Sequence, residues 1–194
     1  MNLEKLEIEH SNMVRNLLKP EATLQEHSAD WKWGLTHAVV GLAGELLELY
    51  DPEDTENMLE ETGDVLFYNK ALRFSILDLL PYDSEGPFLN QSLQVSDSVD
   101  WLSAPNYIQL AGFLLDMYKK VVIFDQKLSG FRERFNAVAN TVDWMVESRL
   151  RTVAGMTRED ALNHNLEKLL TGPKARYAQG YSDQAAALRV DKLK

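Results

Sequence analysis

Apolar residues recur at intervals of three and four along most of this chain, and this periodicity restricts the fold more than any other feature. In residues 2–18, for example, Leu3, Leu6, Met13 and Leu17 follow it. Such spacing places apolar side chains on one face of an α-helix, whereas a strand requires strict alternation, of which we find no convincing case. The periodicity therefore predicts an all-α fold, a helical bundle around a shared core.

Turn and capping residues divide the periodic segments into predicted helices. Asp51-Pro52 predicts a cap followed by proline at the start of the third helix, and Thr157–Asp160 is typical of a capping box. Residues 81–106 are rich in Pro, Ser, Asp and Gly, which predicts a long connection. The helices are expected at about 2–18, from Ser28 or Asp30 to 50, 53–79, 105–128, 131–154 and 157–171, with a short last helix capped by Ser182.

A nine-residue segment of the chain occurs twice. LAGELLELY at 42–50 returns as LAGFLLDMY at 110–118, with six of nine positions identical. Further along, Asn140 and Asp143 stand where Glu61 and Asp64 stand in the first copy. Chance similarity of two leucine-rich helices is one explanation, but a duplicated helical hairpin accounts better for the match.

The duplication predicts a single all-α domain, 1–194, with an internal pseudo-dimer. Its parts are a first, catalytic hairpin at about 29–79, a degenerate hairpin at about 105–154 and a basic C-terminal element at about 157–190. Because Phe113 replaces Glu45 in the second copy, we expect Phe113 to pack in the core, as we do Trp144. Asp116 and Asp143 remain as acids of a copy that has lost its site.

Composition excludes several kinds of function. The 194 residues carry a formal net charge of −10, which argues against a broad grip on nucleic acid. The chain has no cysteine, so thiolate metal sites and cysteine nucleophiles are excluded. The N-terminal residues lack the apolar run of a signal peptide, and no window is apolar enough for a membrane span. We expect a soluble cytoplasmic protein that binds neither nucleic acid nor membrane.

Two acid pairs, Glu45/Glu48 and Glu61/Asp64, lie within apolar helical stripes. Residues three apart share a helix face, so each pair presents its carboxylates to one side. Most such pairs are solvated, but these four share faces with leucine, valine and alanine. Carboxylates that converge in a partly dry groove raise one another's pKa unless a hard cation neutralises them. Oxygen ligands without sulfur select Mg²⁺ or Mn²⁺, so we predict a metal site.

A basic segment follows these acids at the C-terminal end. Its motifs are Asn165-Leu-Glu-Lys168-Leu169, Lys174-Ala-Arg176-Tyr177, Gly180-Tyr181-Ser182 and Ala186-Ala-Leu-Arg189. The acid quartet, the Val-Leu-Phe-Tyr68 that follows it and this basic segment resemble, in that order, the MazG-like all-α nucleoside triphosphate pyrophosphohydrolases, and phage-type members most closely. The resemblance covers residues 35–73 and 149–190. The chain departs from the family in a longer region at 74–148 and in an additional Leu-Thr-Gly-Pro before Lys174.

The resemblance implies Mg²⁺-dependent hydrolysis of a nucleoside triphosphate, expected to be a deoxynucleotide, to a monophosphate and pyrophosphate. Glu45 and Glu48 are the candidate catalytic residues, and both belong with Glu61 and Asp64 to the implied metal ligands. Asn165, Lys168, Lys174 and Arg176 are the implied contacts to substrate phosphate. The family also implies a homodimer, or alternatively a monomeric pseudo-dimer, in the host cytoplasm if the protein is viral.

Two further residues share the predicted acid face. His37 and Tyr68 could contact a base or sugar, although His37 could equally be a partly buried structural histidine. His10 shows no convergent ligands in the sequence. Two other functions stay open: an all-α dUTPase-like diphosphatase, and a non-catalytic helical interaction protein whose acids bind a structural metal.

Overall fold

The computed structural model describes residues 2–18, 30–77, 104–127 and 131–180, with Ser182 and Gln184. It confirms the all-α prediction, because the described residues form helices and no strand. Within this part of the chain, every helix is too short or too polar to cross a bilayer. The α-helices are α1 (Leu3–Leu17), α2 (Asp30–Tyr50), α3 (Thr55–Leu77), α4 (Ala104–Tyr118), α5 (Arg132–Arg149) and α6 (Arg158–Leu166).

Capping residues explain where two of these helices begin. The capping box before α6 is confirmed, since Thr157 Oγ1 accepts from Asp160 N–H at 3.3 Å and Asp160 accepts from Thr157 N–H at 2.8 Å. The predicted cap at Asp51 is wrong. Asp54 Oδ1 accepts from Asn57 N–H at 2.8 Å instead, so α3 begins at Thr55, beyond Pro52. Ser28, most of the 81–106 connection and the helix after Ser182 lie outside the described residues.

Helix α3 lies at the centre of the bundle. It packs most extensively against α2, and also against α6, α5 and α1. Its buried side chains therefore lie on opposite sides of the helix, with Met58, Val65 and Leu72 on one side and Phe67 and Ala71 on the other. Polar residues on such a helix must find partners on the neighbouring helices, because water does not reach them.

Three of the helices widen into a π-helical turn at their C-terminal ends. These turns are Lys119–Ile123 after α4, Leu150–Ala154 after α5 and Glu167–Thr171 after α6. The last of them is extended by a folded-back segment, 172–180. Arg176 N–H donates to the Lys168 carbonyl at 3.1 Å, and Tyr177 N–H donates to that of Leu169 at 2.9 Å. The backbone therefore fixes Arg176 and Tyr177 beside the end of α6.

The two copies of the repeated segment pack against each other, because α2 and α4 are neighbours. Their hairpins are not packed alike, however: α4 touches α5 far less than α2 touches α3. The core positions predicted for Phe113 and Trp144 are wrong, since these side chains are 37% and 51% exposed. Leu110, Leu114 and Met117 form the buried stripe of α4, and Phe113 falls at its edge. The internal pseudo-dimer stays a prediction.

Candidate metal centre

Three of the four predicted acids converge between α2 and α3. One carboxylate oxygen each from Glu45, Glu61 and Asp64 lies within 4.8 Å of the others, an arrangement that could hold a metal ion. Glu61 is only 4% exposed, so its carboxylate is oriented inside the helix contact rather than into solvent. Glu48, one turn along α2 from Glu45, is exposed and does not belong to this group of three.

The electrostatics of Glu45 reflect this crowding. Burial, followed by the negative charges of Asp64, Glu48 and Glu61, raises the pKa of Glu45 from 4.5 to about 8. A hydrogen bond with Glu61 acts in the same direction. At neutral pH, the site therefore holds either a proton on Glu45 or a compensating cation.

Asp64 connects the acids to the basic segment. Its Oδ1 accepts from Asn165 Nδ2 at 2.9 Å, and its Oδ2 accepts from Lys168 Nζ at 2.5 Å. The Lys168 ammonium also lies 3.0 Å from Glu60 Oε1. Burial opposes the charge of Lys168, but the carboxylates of Asp64 and Glu60 outweigh it and raise the pKa of the lysine. The structure thus brings Asn165 and Lys168 to the acid group.

Two of the polar residues around the acids were missed in the sequence. Glu60 pairs with Lys168, and Asn57 Nδ2 donates to Glu61 Oε1 at 2.9 Å. Asn57 precedes Glu61 by four residues, a spacing at which helical side chains meet, so this contact was readable from the pattern. Glu60 directly precedes Glu61, but its partner Lys168 lies far along the chain, so no local pattern indicated the pair.

A glycine permits the close approach that brings Asn165 to Asp64. A Cβ at Gly63 would lie 2.8 Å from the Asn165 Cβ and 3.3 Å from the Ala161 carbonyl oxygen. Any side chain at this position would push α6 away from α3. The glycine between Glu61 and Asp64 is therefore a packing requirement of the site.

Tyr68 lies beside the acid group, half-buried against α2. A Cβ at Gly41 would lie 2.2 Å from its ring, so Gly41 creates the space for it. Burial and the charges of Glu45 and Asp64 raise the pKa of Tyr68 to about 12, so its hydroxyl stays protonated. The ring of His37 packs edge-on against that of Tyr68, with centroids 5.5 Å apart.

The remaining basic residues of the prediction lie in the folded-back segment. The positive charge of Arg176 partly opposes the rise in the pKa of Tyr68, so Arg176 lies near that tyrosine and the acids beside it. Lys174 is exposed. Tyr181 and the 186–189 motif lie outside the described residues.

His10 is a third residue that sequence reasoning missed. It lies on α1 and is 1% exposed, and its Nε2 is 3.2 Å from Asn165 Oδ1. Burial, only partly offset by Asn165 and Glu7, lowers the pKa of His10 to about 4. A single buried histidine carried no signal in the sequence, because its partner is 155 residues away.

The corresponding acid of the second copy is held by arginines. Asp143 pairs with Arg73 at 2.8 Å and with Arg158 at 3.1 Å, and Asn140 accepts from Arg73 at 2.9 Å. Asp116 is partly exposed and pairs with Lys119 and Lys120. Among the described residues, the group of Glu45, Glu61 and Asp64 alone has the spacing of a metal site.

Compared with protein-family models, curated proteins and solved structures, the chain matches none of them. The resemblance to the MazG-like enzymes therefore stays a prediction from the sequence motifs alone.

Proposed function

We propose that this protein is a Mg²⁺-dependent nucleoside triphosphate pyrophosphohydrolase, with Mn²⁺ as an alternative ion, which releases a monophosphate and pyrophosphate. The observation that carries the proposal is the convergence of Glu45, Glu61 and Asp64 within 4.8 Å. The contacts from Asn165 and Lys168 to Asp64 add support. These two residues lie 101 and 104 positions after Asp64 in the chain, and both bond its carboxylate.

The donor set suits a hard cation. All three side chains offer carboxylate oxygens, which Mg²⁺ and Mn²⁺ prefer. The pKa of about 8 at Glu45 reflects burial first and then the neighbouring negative charges, which such an ion would offset. Lys168 offsets part of the charge of Glu60 and Asp64, the two carboxylates that its ammonium contacts.

The metal and the acids have different roles in the proposed reaction. A bound divalent cation would neutralise charge on the triphosphate and lower the pKa of a water molecule bound to it. Glu48, which is exposed beside the group of three, is placed to accept a proton from the attacking water, and Glu45 is the other candidate for this base. Asp64 keeps its orientation through Asn165 and Lys168.

Residues around the acid group are the proposed contacts to the substrate. Lys174 and Arg176 lie in the segment that folds back on α6, where they could contact the leaving pyrophosphate. Lys168 is also a proposed phosphate contact, although its side chain is 7% exposed and engaged with two acids. Tyr68 and His37 form an aromatic corner beside the acids that could receive the sugar or base.

Product analysis tests the proposal. The purified chain would be incubated with a panel of ribo- and deoxynucleoside triphosphates, including dUTP, with and without Mg²⁺, and followed by ³¹P NMR. We expect a monophosphate and pyrophosphate from at least one substrate, only with metal. A diphosphate with orthophosphate would contradict the cleavage position, and no turnover with intact metal binding would favour the non-catalytic alternative.

Matched variants connect any turnover to the site. Glu45→Gln and Asp64→Asn should lower the rate by orders of magnitude, since each removes a proposed metal ligand. Asp116→Asn is the control, because Asp116 occupies the position of Glu48 in the second copy and is paired with Lys119 and Lys120. Rates equal to that of the wild type in all three variants would point to a contaminating activity.

A further inference from the structure

The side chains of His10, Asn165 and Asp64 form a chain of hydrogen bonds with a defined direction. Asp64 is an acceptor, so the amide group of Asn165 must face it with Nδ2, at 2.9 Å. Asn165 then presents Oδ1 to His10, 3.2 Å from Nε2. An oxygen at that position requires a proton on Nε2, which fixes the neutral tautomer of His10.

The other ring nitrogen of His10 shows that packing alone does not explain the histidine. Nδ1 is buried and has no hydrogen-bond partner in the structure. A buried polar atom without a partner is destabilising, and an apolar residue of similar size would avoid it. The charged groups of Glu7, Lys70 and Arg158 lie close enough to influence the ring, but none of them bonds Nδ1. What the histidine contributes is the donor at Nε2.

We propose that His10 is a positioning residue of the metal centre: it orients the Asn165 amide so that Nδ2 holds Asp64 in place for the cation. Without the Nε2–H donor, the Asn165 amide loses the hydrogen bond at Oδ1 and is held only through its contact with Asp64, so the position of Nδ2 is less well fixed. Partners that orient a metal ligand commonly change metal affinity by about 10- to 100-fold. The inference rests on the metal site of the proposed function, but not on the identity of any substrate.

Two variants of His10 separate positioning from packing. In His10→Leu the volume is kept approximately and the donor is removed, while His10→Gln places an amide N–H near the position of Nε2. Mn²⁺ affinity would be measured by calorimetry on folded protein, as checked by circular dichroism. We expect about a tenfold weaker affinity for His10→Leu and recovery to within about threefold of the wild type for His10→Gln. A purely structural role would move the unfolding midpoint of His10→Leu and leave the Mn²⁺ affinity unchanged.

A double variant tests whether the effect passes through Asn165. In an Asn165→Ala background, His10→Leu should not weaken Mn²⁺ binding further, because the amide that it orients is gone. NMR of the wild-type histidine ring should show the Nε2–H tautomer from pH 6 to 8. Unchanged affinity in His10→Leu, additive losses in the double variant or an Nδ1–H tautomer would each overturn the proposal.

These readouts stay separate from catalysis. Loss of Mn²⁺ affinity in His10→Leu without any nucleotide turnover in the wild type would support the positioning role and contradict the proposed enzyme. Turnover in the wild type with normal Mn²⁺ affinity in His10→Leu would support the proposed enzyme and contradict the positioning role. Absence of Mn²⁺ binding in the wild type would overturn the inference together with the metal centre.

Discussion

Arg73 Nη2 lies 2.8 Å from Asp143 Oδ2, so a guanidinium neutralises the acid that aligns with Asp64 in the repeated pattern. Arg158 bonds the other oxygen of the same carboxylate at 3.1 Å. Asp143 therefore has its counter-charges within the protein. At Asp64 the single ammonium of Lys168 is shared with Glu60, and Glu45 and Glu61 add further negative charge nearby.

This difference predicts opposite phenotypes for two matched substitutions. Asp143→Asn should destabilise the fold by about 1–3 kcal/mol, because Arg73 loses its carboxylate partner while Arg158 keeps those of Glu7 and Glu147, and it should leave metal affinity unchanged. Asp64→Asn should abolish most Mn²⁺ binding with a smaller effect on stability. Urea unfolding and calorimetry on both variants measure the two quantities. Loss of Mn²⁺ binding in Asp143→Asn would contradict the assignment of the metal to the first copy.

The raised pKa of Glu45 predicts that metal binding and proton release are coupled. Below about pH 8 a cation must displace the proton of Glu45, so Mn²⁺ affinity should rise by up to about tenfold per pH unit between pH 6 and 8. Calorimetry in buffers of different ionisation enthalpy should detect release of close to one proton at pH 7. Glu45→Gln should remove most of this pH dependence, and a flat profile in the wild type would contradict the coupling.

The same pKa predicts how the metal-free protein responds to pH. Glu45 titrates at about 8 when folded and near 4.5 when unfolded, so the folded state holds the extra proton between these values. Its contribution to stability is complete below pH 4.5 and is lost as pH rises towards 8, at up to about 1.4 kcal/mol per pH unit. Urea unfolding between pH 5 and 8 measures this slope. Glu45→Gln should flatten it, and saturating Mg²⁺ should flatten it too, because the bound ion keeps Glu45 deprotonated in the folded state.

Two glycine substitutions test the close approach of α3 and α6. Gly63→Ala should cost about 1–3 kcal/mol and weaken metal binding, since its Cβ would lie 2.8 Å from Asn165. Gly44→Ala is the control, because nothing lies within 4 Å of its Cβ and a helical alanine should stabilise by about 0.5–1 kcal/mol. Thermal unfolding and Mn²⁺ titration measure both effects. Equal stability of the two variants would contradict the packing argument.

Much of the fold was readable from local pattern. Helical periodicity and capping residues located all of the described helices to within a few residues, because these signals depend on neighbours in the chain. The cap at Asp54 was missed because Asp51-Pro52 offered a competing start signal. Phe113 and Trp144 were misassigned because periodicity shows that a helix has an apolar face but not how far a neighbouring helix covers it.

The acids of the site were predictable from local helical pattern, whereas their partners lie far away in the chain and were not. Glu45, Glu61 and Asp64 stood out as carboxylates in apolar stripes. His10, Glu60 and the arginines on Asp143 became visible only once distant segments had met. The predicted homodimer also depends on surfaces rather than on spacing, and it stays a prediction that light scattering on the purified chain would test.

The most direct test of the metal centre is anomalous diffraction at the manganese edge from crystals grown with Mn²⁺. We expect an anomalous peak between the carboxylates of Glu45, Glu61 and Asp64, and none beside Asp143 or Asp116. A peak at the second copy, or full occupancy by Mn²⁺ elsewhere with these three carboxylates left without metal, would contradict it.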